Sequence, residues 1–428
     1  MMDQRLDVLF DGQPMGRVER NRRNRLVFQY DPLWSASPGS IPLSISLPFS
    51  AREHTSELIE AFIWGLLPDN EFVLGRWAKN FHVSARNPFA LIANVGEDCA
   101  GAVQFVRPEK LRAFLSDRSS KIEWLAESQV TERLRALRRD QAAWRMPRDT
   151  GQFSLAGAQA KTALLQRRGR WGIPSGRIPT THILKPQSNE FDGHAENEHF
   201  CLALAQTLQL PAARSEVHRF GDEVAIVIER YDRVSLPEGD IIRIHQEDMC
   251  QALGVMPTSK YQSEGGPRPA EIAELLRKHS SRPREDVETF IDALVFNWLI
   301  GGTDAHAKNY SLLHGSGGKT RLAPLYDLAS ALPYDHLDER KLKLAMRIGR
   351  EYRLMSIGVR QWQKAESELG LEEGWLLKRA RALARAMGRE IPTVAERMRS
   401  EGLSHPVVDK LSLALRERTR RCLEELSS

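Results

Sequence analysis

The chain has 428 residues, 41% of them hydrophobic and 27% charged, and 61 Lys and Arg against 56 Asp and Glu give a net charge of +5. That length supports two or three folding units; no run approaches the roughly 18 apolar residues that cross a bilayer, and Met1 to Arg5 lacks the apolar core of a secretory signal. Cys99, Cys201, Cys250 and Cys422 stand far apart without a C-x-x-C pair, which argues against a zinc site or disulfide scaffold and for a reduced, cytoplasmic protein with no membrane segment.

Leu6 to Phe10 alternates as a strand, Asp11-Gly12 signals a tight turn before Met15 to Val18, and Arg25 to Tyr30 alternates again. Ser35 to Pro48 is rich in Ser, Pro and Gly, with Ile45 and Leu47 extended. From Thr55, the residues Leu58, Ile59, Phe62, Ile63, Leu66 and Leu67 recur at helical spacing, and Pro68 closes that helix. Phe72 to Phe81 predicts a second helix, and Leu91 to Val106, interrupted by Gly96 and Gly101, a short hairpin. Residues 1–107 therefore read as a small β-rich subdomain with two helices and no catalytic cluster. A helical linker is expected over 108–150, with a basic helix from Ser128 to Trp144 whose Arg133, Arg135, Arg138 and Arg139 form a solvated face.

Phe153 to Leu165 reads as strand, small-residue turn, strand. Small residues let backbone N–H groups approach phosphate oxygens, yet the segment fits neither G-x-G-x-x-G nor G-x-x-x-x-G-K-[ST], and alone it reads as a structural turn. Thr180 to Lys185 is a β-branched strand ending in one lysine, the arrangement by which kinases deliver an ammonium to ATP phosphates. Glu196 to Leu208 follows as a helix on which Glu198 is placed to pair with that lysine, or else is an ordinary exposed glutamate. A hairpin, Glu216–Phe220 with Val224–Glu229, leads into Glu229-Arg230-Tyr231-Asp232-Arg233, the expected hinge for adenine. Residues 151–235 form the expected ATP-binding lobe.

Over 236–428 the pattern reads as helical, beginning at Gln246 to Leu253. Val287, Phe290, Ile291, Leu294, Val295, Trp298 and Leu299 make an apolar helix that delivers Gly301 to Asn309. Asp304 and Asn309 are separated by four residues, the spacing of the kinase catalytic loop, where Asp orients the attacking hydroxyl and Asn holds magnesium. Two short strands, Tyr310–Leu313 and Arg321–Leu325, put Asp304 and Asp327 at the two ends of one hairpin. After Trp375 the chain is Arg-rich and helical, with Lys378, Arg379, Arg381, Arg385 and Arg389 as its wet face.

The strings Ser154–Leu165, Pro179–Lys185, Glu229–Arg233, Gln246–Gln251, Lys260–Pro267, Thr303–Asn309 and Leu325-Tyr326-Asp327 occur in one order over nearly the whole chain, after Gly65-Leu-Leu-Pro-Asp-Asn70. They resemble the signature set of HipA-type serine/threonine protein kinases, the toxin components of type II toxin–antitoxin systems. The resemblance implies an α+β, two-lobed protein-kinase-like fold with a small β-rich N-terminal subdomain and an all-α C-terminal lobe. It implies ATP and Mg²⁺ as cofactors, Asp304 as catalytic base, and Asn309 and Asp327 as metal ligands. Lys185 is then the phosphate contact, Ala156, Gly157, Ala158, Gln159, Ala160 and Lys161 the phosphate-binding loop, and Glu229, Tyr231, His306, Lys308 and Tyr326 further parts of the ATP site. Ser154, at the mouth of what is expected to be a surface loop, matches the autophosphorylation position whose modification ends ATP binding. The implied target is a translation component, an aminoacyl-tRNA synthetase, with growth arrest or persistence as the result. The implied partner is a small helix-turn-helix antitoxin that carries the chain to operator DNA. Ala160 and Ala305 stand where family members often carry Glu and Gly; neither removes a metal ligand or the base. Two alternatives stay open: a small-molecule or lipid kinase, since Asp304-x-His306-x-x-Asn309 also resembles the D-R-H-x-x-N of phosphoinositide kinases, and a catalytically silent, DNA-associated repression partner.

Overall fold

The computed structural model describes residues 5–116, 120–145 and 153–427. Most of the Met1–Arg5 terminus and the end of the expected linker, 146–150, lie outside the described residues. Alternation of apolar residues builds an antiparallel meander of β1 (Arg5–Phe10), β2 (Gln13–Arg20) and β3 (Leu26–Tyr30), turned at Asp11 and Gly12, both at positive φ. With β4 (Glu53–His54) and β5 (Val103–Val106) it forms a five-stranded sheet, order β4-β3-β2-β1-β5. Its helices are α1 (Pro32–Ala36), α2 (Ser56–Leu66), α3 (Glu71–Phe81) and α4 (Pro88–Val95). Here the hairpin expected over Leu91–Val106 is wrong: only its end is a strand. Asn87 caps α4 through a bond from Ala90 N at 3.2 Å, Pro88 starts it, and six of its eight residues are buried. A helix buried on nearly every side shows no polar stripe, so its period was invisible.

Next come α5 (Pro108–Leu115), β6 (Lys121–Leu125), α6 (Glu127–Arg139), β7 (Thr162–Arg167), β8 (Arg170–Ser175), β9 (His182–Pro186), α7 (His194–Thr207), β10 (Ser215–Phe220) and β11 (Glu223–Glu229). Their strands make a six-stranded sheet, order β10-β11-β9-β7-β8-β6. The basic helix α6 stops at Arg139 rather than Trp144, and its arginines are only in part a solvated face: Arg138 and Arg139 are exposed. Arg133 is buried, Arg135 pairs with Asp222 at 2.5 Å and Arg138 with Glu223 at 2.9 Å, so the helix is pinned to the β10–β11 turn. Beyond it lie a two-stranded ribbon of β12 (Arg233–Ser235) and β13 (Ile241–Arg243), then β14 (His245–Asp248) and the short α8 (Met249–Ala252).

The rest is α9 (Pro269–His279), α10 (Pro283–Ile300), β15 (Ser311–Gly315), β16 (Lys319–Leu322), β17 (Lys343–Ile348), β18 (Glu351–Arg353), α11 (Val359–Glu368), α12 (Trp375–Ser400) and α13 (Pro406–Glu425). The all-α expectation for 236–428 fails, because β13 to β18 all fall there. β14 pairs with β15 through polar buried residues, His245 and Glu247 among them, and such a strand carries no apolar alternation to read. In the tail, Arg379 is not simply wet: it makes a two-pronged pair with Asp292 on α10 at 2.5 and 2.6 Å.

Contact density divides the chain into two units. The first is Met1–Pro186, Arg219–Thr258 and Ser311–Thr320; the second is Gln187–His218, Ser259–Tyr310 and Arg321–Ser428. One apolar core in the first unit joins Phe28, Phe62 and Phe105 of the N-terminal sheet and helices to Trp144, Phe153 and Leu155. The N-terminal subdomain and the segment leading into the small-residue loop therefore share a core. In the second unit α10 is the central helix. Trp298 on it meets Trp362 edge-on at 5.3 Å, and its carbonyl accepts from the buried guanidinium of Arg418 on α13 at 3.2 Å.

Candidate active site

The second unit carries the residues expected in the catalytic loop. The apolar run of α10 ends at Gly301, whose φ of 67° lets the chain turn sharply. A Cβ there would lie 2.8 Å from Leu332, and one on Gly302 would lie 2.4 Å from Asn297 Oδ1, so both glycines are dictated by packing. The loop then folds on itself: His306 N donates to Asp304 O at 2.8 Å, Asn309 N to His306 O at 2.9 Å, and Asn309 Nδ2 to Asp304 O at 2.9 Å. This last bond uses the nitrogen of the Asn309 amide. His306, Lys308 and Asn309 are buried and Asp304 is exposed. The Tyr261 hydroxyl donates to Asp304 Oδ1 at 2.6 Å, and its ring meets His306 edge-on at 4.9 Å.

The later acidic residue is tied to the same loop. Tyr326 Oη donates to Lys308 O at 2.5 Å, so the residue before Asp327 is bonded to the residue before Asn309. Leu325 is fixed on its other side, its N donating to Pro211 O at 2.7 Å and its O accepting from Ala213 N at 2.8 Å. Asp327 itself sits at φ 57°, a left-handed conformation that non-glycine residues adopt at some cost. Just after it, Asn197 of α7 binds both Ser330 N (3.0 Å) and Ser330 O (2.8 Å), and Ser330 Oγ donates to Ile300 O at 2.5 Å. An amide and a carboxylate are hard oxygen donors. No group of three or more His, Cys, Asp or Glu is gathered for a metal among the described residues. That donor set fits Mg²⁺, which keeps waters and takes one or two protein oxygens plus phosphate.

The first unit carries the residues expected on the nucleotide side. Lys185 is buried in β9 opposite Ile226 of β11. The loop from Ala156 to Lys161 has Ala158 exposed and Lys161 buried, with the Lys161 ammonium donating to Ala156 O at 2.7 Å. Ser154 is not on a surface loop. It is fully buried, and its hydroxyl donates to Leu66 O at 2.8 Å. Glu229 is exposed at the end of β11, and Tyr231 bonds to Ser311.

Around the expected hinge is a cluster that no local sequence spacing signals. Arg230 grips Asp232 with two bonds, 3.0 and 2.9 Å, and its backbone N donates to Thr181 O at 2.9 Å. Arg233 meets Asp98 at 3.0 Å and Asp232 at 2.9 Å, Arg243 reaches Asp98 at 3.4 Å, and Thr180 donates to Asp98 through N (3.0 Å) and Oγ1 (2.7 Å). All seven residues are buried. Burial alone would raise the Asp98 and Asp232 carboxyls, but the guanidiniums outweigh it: Asp98 is held below the carboxylate range and Asp232 is pulled down to about 2.

Glu198 is fully buried on α7, which excludes the exposed-glutamate alternative. Tyr261, within the string Lys260–Pro267, is a residue of this site that was not expected from the sequence. A tyrosine in a polar Gly-rich loop carries no spacing signal toward Asp304.

Residues 6–106 match the HipA N-terminal domain and residues 153–395 the HipA-like C-terminal domain. A putative kinase of Sinorhizobium fredii is 37% identical over 372 residues, covering 86% of both chains. The serine/threonine-protein kinase toxin HipA of Shewanella oneidensis is 31% identical over 378 residues, covering 85% of this chain and 83% of that one. The structure of Shewanella oneidensis HipA, solved with HipB and its operator DNA, superimposes with a TM-score of 0.83 at 26% identity, covering 99% of this chain and 98% of that one. The class is a kinase. The chain belongs to the HipA family.

Proposed function

We propose that this protein is an ATP- and Mg²⁺-dependent serine/threonine protein kinase that acts as a toxin on a translation component. The observation that carries the reading is a pair of hydrogen bonds in the second unit. Asn309 is held to Asp304, and Tyr326 to Lys308, so that base, amide and second carboxylate belong to one assembly. Asp304 is exposed, as a group must be that receives a proton from a protein hydroxyl. Asn309 and Asp327 present the oxygens for magnesium, which when bound screens the phosphates' charge. Lys185 supplies the ammonium for the phosphates. The phosphate loop, Glu229, Tyr231, His306, Lys308 and Tyr326 complete nucleotide binding.

Ser154 is the proposed autophosphorylation site. Its burial means that the hydroxyl has to leave Leu66 before it can react, so modification accompanies release of the loop. The substrate proposed is an aminoacyl-tRNA synthetase. A small helix-turn-helix antitoxin is the proposed partner, supported by the relative solved with HipB and operator DNA. No described helix is long and apolar enough to cross a membrane; a cytoplasmic site of action is part of the proposal.

The test is transfer of labelled phosphate from ATP to proteins of a bacterial lysate, with the targets identified by mass spectrometry. Parent protein should label a synthetase and its own Ser154, and Asp304→Asn should label neither. Equal labelling by the two would end the reading.

A further inference from the structure

The phosphate loop does not stand alone. It is seated on the turn between α2 and α3 of the N-terminal subdomain, within the first unit. Ser154 Oγ donates to Leu66 O at 2.8 Å, Asp69 N to Gly157 O at 3.1 Å, and Asn70 Nδ2 to Ala158 O at 3.1 Å. The other end of the Asn70 amide is also engaged: Oδ1 accepts from Phe72 N at 3.0 Å and Val73 N at 3.3 Å, making Asn70 the N-cap of α3. Backbone donors on one end and a carbonyl on the other fix which end is nitrogen.

The direction of these bonds has a consequence for the loop. In a trans peptide the C=O and the following N–H point in opposite directions, and no cis bond occurs among the described residues. With the carbonyls of Gly157 and Ala158 drawn to the turn, the N–H groups of Ala158 and Gln159 point away from it. Successive N–H groups presented on one side make an anion-binding concavity. Lys161 closes the loop from within, bonded to Ala156 O and lying 5.2 Å from the Trp144 ring. Gly157 is required there: its φ is 101°, and a Cβ would lie 2.5 Å from Lys161 Nζ.

The turn is held in its own right. Gln251 Nε2 donates to Phe62 O at 2.9 Å near the end of α2, and a Cβ on Gly65 would lie 2.5 Å from the Gln251 side chain. Gln251 in turn shares reciprocal 2.9 Å bonds with Asp248, a capping box at the start of α8.

We propose that Asn70 is a positioning residue for the nucleotide: by holding the Ala158 carbonyl, it presents the loop's amides to the phosphates, so the N-terminal subdomain sets ATP affinity. This rests on the kinase reading above. The side chain touches no nucleotide in this scheme and acts through the loop.

Two variants separate the lost donor from everything else Asn70 does. Asn70→Asp and Asn70→Ser both keep an oxygen to cap α3, and both lose the amide donor. In each, the KM for ATP should rise roughly three- to ten-fold at unchanged kcat, the worth of one hydrogen bond. Amide hydrogen exchange in peptides covering Phe153–Thr162 should speed up in both, with α3 unchanged. If the aspartate variant alone weakened ATP binding, added charge rather than the lost donor would be responsible and the proposal would fall. Unchanged exchange in the loop of both variants would overturn it as well. Exchange is read without ATP, so a parent protein that transfers no phosphate would sink the kinase reading while the seating of the loop is still decided.

Discussion

The two units treat their acidic residues in opposite ways. In the first, Asp98 and Asp232 are shut away from water among Arg230, Arg233 and Arg243, each oxygen bonded to a guanidinium, a hydroxyl or a backbone N–H. In the second, Asp304 stays exposed and meets a tyrosine hydroxyl. A carboxylate held below its usual range by three arginines is a poor proton acceptor, because protonation would forfeit all of those interactions. Its worth lies in shape: it ties the hinge strand to the Asp98–Gly101 turn. A hydrated carboxylate has the reverse character, adding little to stability while keeping its capacity for proton transfer. The carboxylates that build the fold and the one proposed to act in catalysis thus differ in kind, and substitutions should split accordingly.

The largest effect expected is on chemistry. Asp304→Asn should lower phosphate transfer by about 10²–10⁴-fold, the usual range for losing a positioned base, while the thermal midpoint stays within the scatter of surface substitutions. A large drop in the midpoint would mean that the exposed carboxylate also holds the loop together, and the division would be wrong.

Asp98→Asn is the mirror experiment. It leaves three buried guanidiniums facing one carboxylate fewer, which typically costs about 3–5 kcal/mol. Urea unfolding should show that loss, while kcat per folded molecule at low temperature stays near parental. Intact stability would mean that water or Asp11, 3.5 Å from Arg243, takes over the charge.

The same contrast appears against pH. His245 is buried beside His314, Glu247 and Asp232, and burial, aided by His314, pulls its imidazole down to about 4. An unfolded histidine titrates near 6.5. Between those values the unfolded chain binds the extra proton, so stability falls as pH drops from about 6.5 to 4, by about 3 kcal/mol in all. Asp232, depressed to about 2, adds a second loss, which begins as the pH falls through the ordinary carboxylate value near 3.9 and is complete only below pH 2. Replacing His245 with Gln should shrink the first step of a denaturation-against-pH curve and leave the second, the remainder of the first belonging to His182, which burial also pulls down to about 4. A curve flat from 6.5 to 4 in the parent would contradict the buried neutral imidazole.

Much of the second unit's site was legible because it is written in local spacing. Asp304 and Asn309 sit in one short loop after an apolar helix, and sequence alone places them. The buried charge cluster could not be read that way. Asp98 lies 132 residues before Arg230, and nothing local says that they meet. The capping residues fared in between: Pro68 and Asn70 mark a helix end and a helix start, but the bond from Asn70 to Ala158 spans 88 residues. Polar strands were lost for a related reason. β14 buries His245 and Glu247, and Glu247 is satisfied by His314 at 2.9 Å and Ile45 N at 2.9 Å, partners supplied by distant segments.

The smallest effect expected concerns Tyr261. Its hydroxyl is 2.6 Å from Asp304 Oδ1, and its ring packs against His306, two residues after the base. Tyr261→Phe keeps the ring and its edge-on contact and removes just the donor. If that bond orients the carboxylate, kcat should fall by the worth of one exposed hydrogen bond, about 1 kcal/mol or roughly five-fold, with the KM for ATP unchanged because no nucleotide contact is lost. The geometry also admits a different arrangement, since a tyrosine hydroxyl bonded to the base occupies the kind of position a substrate hydroxyl must take. In that case the variant would bind protein substrate more tightly at unchanged kcat, having lost a competitor for Asp304. A split between kcat and the protein-substrate KM decides between them, and a lower kcat assigns Tyr261 to the orientation of the base.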